Sequence, residues 1–235
     1  MNILALDSTA EVASVSVCRD EKPLAIYTVN SGNTHSRTLL PMIETALGHS
    51  GLTVDDIELF AASEGPGSFT GVRIGAATLK GLAFGRDLPC VGVSTLEALA
   101  YNLIGFEGLI CPVMNARRAQ VYNAVFLGDG ISVKRLTPDR AIAISELEAE
   151  LEGMSPEKIY LVGDGYDVTK KGFSRLQTLE TPQILRTQNA YSVAMCALRE
   201  YKNGNSKTDS EVTATYLRLS QAERERLEKE NNVNV

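Results

Sequence analysis

Histidine is scarce in this chain of 235 residues: there are two, His35 and His49. No HExxH, HxxxH or Cys/His cluster occurs, so the chain offers no recognisable metal centre. Cysteine is sparse too. Cys18, Cys90, Cys111 and Cys196 stand singly in apolar stretches with no CxxC pair, and read as small buried hydrophobes. Long apolar runs are missing: none approaches the ~18 residues needed to cross a bilayer. Met1 to Leu6 is apolar but carries no basic flank or cleavage site, so it is not read as a signal peptide, and a cytoplasmic chain is expected. Positive charge is in deficit, with 23 Lys plus Arg against 29 Asp plus Glu and a net charge of -6. Such a chain is a poor autonomous nucleic-acid binder, because neutralisation of phosphates by Lys and Arg supplies most of that affinity.

What is present is ordinary globular material. Hydrophobic residues make up 44% and charged residues 22%, which excludes disorder, collagen and coiled coil for the body of the chain. Ile3 to Leu6, Ala13 to Cys18 and Leu24 to Val29 read as three strands joined by polar turns, an antiparallel meander. A helix follows, capped by Thr34 or Ser36, on which Leu39, Leu40, Ile43, Ala46 and Leu47 recur at three- and four-residue spacing. Pro41 is tolerated there if the helix starts near Thr38. Ile57 to Ala62 is a strand, Val72 to Phe84 a second helix, Cys90 to Val93 a strand, and Ser94 caps a third helix. The second half repeats the rhythm: strands at 109–114, 121–127, 131–136 and 159–162, helices at 144–151 and 190–201, and a turn at Gly163-Asp164-Gly165. The pseudo-duplication predicts two α/β lobes of about 100 residues each.

Three features could carry chemistry. Asp7-Ser8-Thr9 is a polar turn after the first strand that could meet a phosphate or a metal-bound water, or be a plain hairpin turn. Gly65-Pro66-Gly67-Ser68-Phe69-Thr70-Gly71-Val72-Arg73 is a glycine-rich loop opening a helix, where backbone N–H groups favour anions. It is not a P-loop, having no GK[ST]. Gly75, Ala76, Ala77, Thr78, Gly81 and Ala83 make the second helix rich in small residues, which suits close approach of another helix, within the chain or across a subunit boundary. There is no GxSxG, and Ser68 has no evident His partner.

The string Ser63-Glu64-Gly65-Pro66-Gly67-Ser68-Phe69-Thr70-Gly71-Val72-Arg73-Ile74-Gly75, followed by Lys80-Gly81-Leu82-Ala83, resembles the TsaB (YeaZ) family. Ile3 to Thr9, His35 to Pro41, Val91 to Leu96, Met114 to Arg117 with Val121-Tyr122, and Tyr216-Leu217-Arg218 resemble further family segments in the same order. The resemblance implies an actin-like or Hsp70-like ATPase fold. It would have two RNase H-like lobes, each a mixed five-stranded-type sheet with flanking helices: residues 1–100, residues 101–204, a segment 205–225 packing back on the first lobe, and a flexible tail 226–235.

The implied role is in making N6-threonylcarbamoyladenosine beside the tRNA anticodon, without catalytic residues, metal or required cofactor. The implied partners are a second copy, the catalytic relative TsaD and the ATPase TsaE, with tRNA met only through the complex. The expected docking surface is two helices, 36–48 and 71–84, presenting Leu39, Met42, Ile43, Ala46 and Leu47 with Arg73, Ile74, Ala77, Thr78, Gly81 and Leu82. A bulky residue at Gly75 or Gly81 is expected to give a folded monomer. Asn115 stands where the family more often has Asp, which disfavours nucleotide hydrolysis, since an amide is no base. Binding of ATP or ADP at Asp7, Ser8, Thr9 and Asn115 stays open, as do a stand-alone kinase-like ATPase, a peptidase, and a direct tRNA contact through Arg73, Arg117 and Arg118.

Overall fold

In the computed structural model, which describes residues 1–32 and 34–218, the apolar run after Met1 becomes strand β1 (Asn2–Asp7) at the centre of a five-stranded sheet. β2 (Ala13–Arg19) and β3 (Lys22–Val29) follow it as the antiparallel meander read from the sequence. β4 (Leu59–Gly65) and β5 (Cys90–Ser94) add in parallel on the other side, giving the order β3-β2-β1-β4-β5. Alternation sorts the side chains. Leu4, Leu6, Val15 and Val17 fill a core under α1 (His35–Ser50) and α2 (Phe69–Ala83). Ile3, Ala5, Leu59, Ala61, Val91 and Val93 face the opposite layer.

That opposite layer holds α3 (Thr95–Tyr101) and a helix from far along the chain, α6 (Ala190–Lys202). α6 was expected in the second lobe, which was read as ending at 204. Its buried face of Ala190, Val193, Ala194 and Ala197 packs on the first sheet instead, and Ser14 Oγ accepts a bond of 2.9 Å from Ala190 N. The reading of Ala13 to Cys18 as a strand carries no sign of so distant a partner for Ser14.

The second lobe is built on β6 (Glu107–Asn115). Residues 113–115 of β6 pair with β7 (Gln120–Asn123), residues 107–110 with β8 (Phe126–Asp129), and residues 109–112 run parallel to β11 (Ile159–Val162). β9 (Val133–Arg135) and β10 (Arg140–Ala143) extend the sheet. The single strand expected over 121–127 is broken at the buried pair Ala124-Val125, whose Val125 N donates to Thr137 Oγ1 at 2.8 Å. Two elements escaped the sequence reading, the short strand β10 and helix α5 (Tyr166–Gly172), which follows α4 (Ile144–Gly153) on the lobe's outer layer.

α1 begins at His35 with Thr34, one of the two expected caps, at its N-cap position and no side-chain cap bond, ahead of the start near Thr38 that would have put Pro41 in the first turn. Pro41 therefore lies inside the helix. Its missing N–H leaves a carbonyl one turn back unpaired, on a face where Arg37 and Pro41 are exposed and water can serve. No helix among the described residues is long and apolar enough to cross a membrane.

Candidate functional site

The carboxyl ends of β1 and β4 in one lobe, and of β6 and β11 in the other, meet at a cleft of about 520 Å³. This is where open α/β sheets bind ligands, because loops leaving the strand ends diverge there. Thr9, Ala10 and Glu11, the loop Pro66–Thr70, Met114–Arg117, Tyr122 and Asp164 line it, and the segment Thr215–Arg218 closes one side.

The turn at its base is spent on the fold. Asp7 is 1% exposed, and its Oδ1 accepts from Thr9 N at 2.9 Å and Thr9 Oγ1 at 2.7 Å, while Oδ2 accepts from Ser63 Oγ at 2.5 Å. Burial pushes the Asp7 carboxyl upward, and the bonds from Ser63 and Thr9 oppose that. Ser8 Oγ donates to the Gly71 carbonyl at 2.8 Å and is equally buried. Of the four residues expected to meet a nucleotide, Thr9 and Asn115 reach the cleft wall, while Asp7 and Ser8 do not.

The glycine-rich loop is shaped by the chain itself. A Cβ on Gly67 would overlap the Thr9 carbonyl, and one on Gly71 the Ser8 carbonyl. Gly65 has φ +115°, and a Cβ there would stand 2.5 Å from the Thr215 carbonyl oxygen. These glycines admit neighbouring backbone rather than a ligand. Ser68 caps α2, its Oγ accepting from Gly71 N at 3.3 Å.

The strand-like segment after α6 is strapped over this loop. Lys207 exchanges backbone bonds of 2.8 Å with Cys90, Val212 enters the first core, and Thr215 N donates to the Glu64 carbonyl at 2.7 Å. Tyr216 OH accepts from Arg73 Nε at 2.8 Å, and the Arg73 guanidinium lies 3.8 Å over the Phe69 ring. Arg218 Nη1 then reaches the second lobe, donating to the Ala116 carbonyl at 2.9 Å. The expected tail, 226–235, lies outside the described residues, as do residues 219–225.

On the second-lobe wall, Asn115 Oδ1 accepts from Arg117 N at 2.9 Å, and Asn115 N donates to Asp164 Oδ1 at 3.4 Å. Asp164 is the acid that sequence reading missed. It had passed as a turn residue, although an acid between two glycines just past a buried parallel strand is a usable signal. Partial removal from water in the cleft raises its carboxyl to about 6, and the negative charge of Asp7 adds to the effect, against the bond from Asn115 N. Its side chain keeps solvent contact, which softens the effect. Among the described residues no group of three or more His, Cys, Asp or Glu is placed to hold a metal ion. The four thiols are buried away from the cleft lining.

The two helices expected to dock partners divide differently from the expectation. Leu39, Met42, Ile43, Ala46 and Leu47 of α1 are all 8% exposed or less and lie in the monomer's own core. They are the apolar face that seats α1 on the sheet, the four larger side chains each contributing roughly 1.5–3 kcal/mol of burial, and cannot also meet a partner. On α2, Gly75 faces inward, where a Cβ would be 2.8 Å from Ser8 Oγ. Ile74 and Leu82 are half-buried against the same core, and Thr78 is half-buried. Thr70, Arg73, Ala77 and Gly81 are exposed, a Cβ on Gly81 would meet nothing within 4 Å, and Phe84 at the helix end is 79% exposed.

Over residues 29–225 the chain matches the family model for TsaD, tRNA N6-adenosine threonylcarbamoyltransferase. The tRNA threonylcarbamoyladenosine biosynthesis protein TsaB of Escherichia coli is 34% identical over 169 residues, covering 71% of this chain and 72% of that one. The chain belongs to the TsaB family. Bacillus subtilis TsaB is 29% identical over 226 residues, 95% of this chain and 96% of the other. A crystal structure of a Pseudomonas aeruginosa protein similar to peptidase YeaZ shares the fold, with a TM-score of 0.78 at 24% identity over 92% of this chain and 99% of that one. The two-sheet α/β architecture expected from the sequence is thus the one TsaB relatives of known structure adopt.

Proposed function

We propose that this chain serves N6-threonylcarbamoyladenosine synthesis on tRNA as a non-catalytic docking subunit in the cytoplasm. It pairs with a TsaD-like transferase, is joined by a TsaE-like ATPase, forms a homodimer when alone, and needs no cofactor. The observation that carries this reading is the outer face of α2. Its inward glycines are consumed by Ser8 and the first core, yet Ala77 and Gly81 are equally small and exposed on the outside, and among the described residues a Cβ on Gly81 would meet no atom within 4 Å. Gly costs about 1 kcal/mol against Ala in a helix interior, so a small outer stripe suits the close approach of a second helix. Exposed Phe84 at its end would be covered in the same contact.

A catalytic role finds little support. Asp7, Ser8 and Ser63 are locked in buried mutual bonds with Thr9 and Gly71, and His35, the histidine near the cleft wall, spends its Nε2 on the Ala10 carbonyl at 2.7 Å. ATP or ADP, if it entered the cleft, would meet Thr9, Asn115 and Asp164, and the carboxylate would repel its phosphates.

Reconstitution tests the reading. With a TsaD-like transferase, a TsaE-like ATPase, threonylcarbamoyl-adenylate and tRNA, omission of this chain is expected to abolish modification. Gly81→Arg is expected to do the same while sedimenting as a folded monomer at micromolar concentration. Undiminished modification without the chain overturns the role, and a dimeric Gly81→Arg overturns the surface.

A further inference from the structure

Twelve arginines are described, and two of them, Arg19 on β2 and Arg37 on α1, stand apart without an ion pair among the described residues; the other ten fall into two groups. Arg86, Arg135, Arg140, Arg175, Arg186 and Arg199 each pair with a carboxylate. Arg73, Arg117, Arg118 and Arg218 make no ion pair among the described residues, and they are joined to one another around the cleft mouth. Arg218 bonds the Ala116 carbonyl, one residue before the Arg117-Arg118 pair. Two residues earlier, Tyr216 accepts from Arg73 and stacks on Phe69 with ring centroids 4.8 Å apart. A chain of net charge -6 thus gathers four of its six described arginines without an ion pair on one ridge, with two aromatic rings set among them.

The backbone holds part of that ridge outward at a cost. Arg117, Arg118 and Ala119 have φ of 63°, 55° and 55°, three consecutive left-handed residues, none of them glycine. Arg117 and Arg118 are exposed, and the turn is closed by Ala116 N to the Gln120 carbonyl at 3.0 Å and Gln120 N to the Arg117 carbonyl at 3.1 Å. A solvated connection would more simply use Gly or Asn at these positions.

We propose that the ridge from Arg73 through Arg218 to Arg117 and Arg118 is an RNA-contacting surface. Its guanidinium groups bind phosphodiesters, and the Phe69–Tyr216 pair offers a face to an unstacked base. The inference rests on the tRNA-modifying role proposed above, and differs from the expectation that tRNA is met only through partners. RNA is favoured over an acidic protein because planar guanidinium forks suit phosphate and the aromatic rings suit bases. Glu11 and Asp164 line the cleft interior, so the phosphates lie on the turn and outside the cleft rather than within it. The acidic net charge makes this surface an auxiliary contact that gains strength beside a transferase already holding the tRNA.

The test uses Arg117→Asn with Arg118→Asn. Asparagine accepts left-handed backbone better than arginine, so the turn is kept or relaxed while both charges go. A labelled tRNA transcript reading a codon that begins with A is titrated, by fluorescence anisotropy at 50–200 mM salt, with the transferase complex and with the chain alone. The double variant is expected to weaken tRNA binding about tenfold or more and to make the log–log salt slope shallower by about 1.5, at roughly 0.7–0.9 per lost phosphate contact. Arg117→Lys with Arg118→Lys is expected to keep most of both. Unchanged affinity and slope in the double variant overturn the proposal. So does loss of the transferase from the double variant with the salt slope intact, which would make the ridge a protein-docking face. Should the wild-type chain fail to join the transferase, the docking role falls, and the comparison of wild type with double variant on the chain alone still decides the RNA contact.

Discussion

Thr215 lies so close over Gly65 that its carbonyl oxygen stands 2.5 Å from where a Cβ on Gly65 would be. Gly65 also has φ +115°, outside the range a side chain accepts. The loop and the strap are therefore one construction, 150 residues apart in sequence. Gly65→Ala is expected to destabilise the protein by roughly 2–3 kcal/mol, combining left-handed strain with displacement of the strap. Gly81→Ala, in open helical space, is expected to stabilise the monomer by up to about 1 kcal/mol. Urea unfolding of the two variants at a concentration that keeps both monomeric separates them, and equal midpoints would refute the contrast. Hydrogen exchange at 213–218 should rise in Gly65→Ala alone.

Glu148 is a buried carboxylate, 3% exposed, that serves as an anion for a turn. Its Oε1 accepts from Ser174 N and Arg175 N at 2.6 Å and Leu176 N at 3.1 Å, and Oε2 accepts from Ser174 Oγ at 3.2 Å. The bond from Arg175 N leads in holding the carboxyl below its ordinary range, against the opposing effect of burial. A depressed folded-state value means the stabilisation is present above the unfolded carboxyl range near pH 4.3 and is lost as pH falls through the folded value. Glu148→Gln places an amide N–H among donors and is expected to cost about 2 kcal/mol at pH 7. That cost should shrink in thermal melts toward pH 3, and a cost independent of pH would refute the assignment.

The cysteines make a simpler prediction. All four are buried, and burial raises each thiol: Cys90 to about 11, Cys111 and Cys196 to about 12, with Cys18 also raised. The thiolate is the reactive form, so at pH 8 the native protein is expected to react with Ellman's reagent only at the rate of local opening. Four rapidly titrating thiols before denaturant is added would contradict the packing.

The sequence made the elements of the first lobe legible because alternation in Ala13–Arg19 and helical spacing in α1 and α2 are local properties. Small residues and apolar faces carried less information about what they meet. The periodic Leu39, Met42, Ile43, Ala46 and Leu47 set could serve a partner or the chain's own sheet, and only the tertiary structure shows that the sheet claims it. Gly75 and Gly81 are indistinguishable as letters, but at six residues' separation they point about 120° apart around α2, one at Ser8 and one at open space. The docking of α6 on the first sheet and the strap over Gly65 depend on contacts between distant parts of the chain, with no periodic trace. The missed helix α5 is seven residues long and polar at Asp167, Lys170 and Lys171, too short for a pattern to emerge.

Asp164 gives the cleft its dependence on pH. Its carboxyl is raised to about 6, first by partial removal from water in the cleft and then in part by the charge of Asp7. A raised folded-state value means the native protein binds this proton more tightly than the unfolded chain. The associated stabilisation is complete below the unfolded value near 3.9 and is lost as pH rises through about 6. At neutral pH the ionised Asp164 opposes folding, by a fraction of ~1 kcal/mol once solvent screening in the open cleft is counted. Asp164→Asn keeps an oxygen for the Asn115 N–H and removes the charge. It is expected to raise Tm slightly at pH 7.5, to match wild type near pH 4, and to flatten the difference between those limits. Glu11, Asn115 and Arg117 share the cleft wall with Asp164, and Asp7 lies beneath it. If Asp164→Asn lowers Tm at pH 7.5, the charge there is stabilising and the electrostatic account of the cleft is wrong.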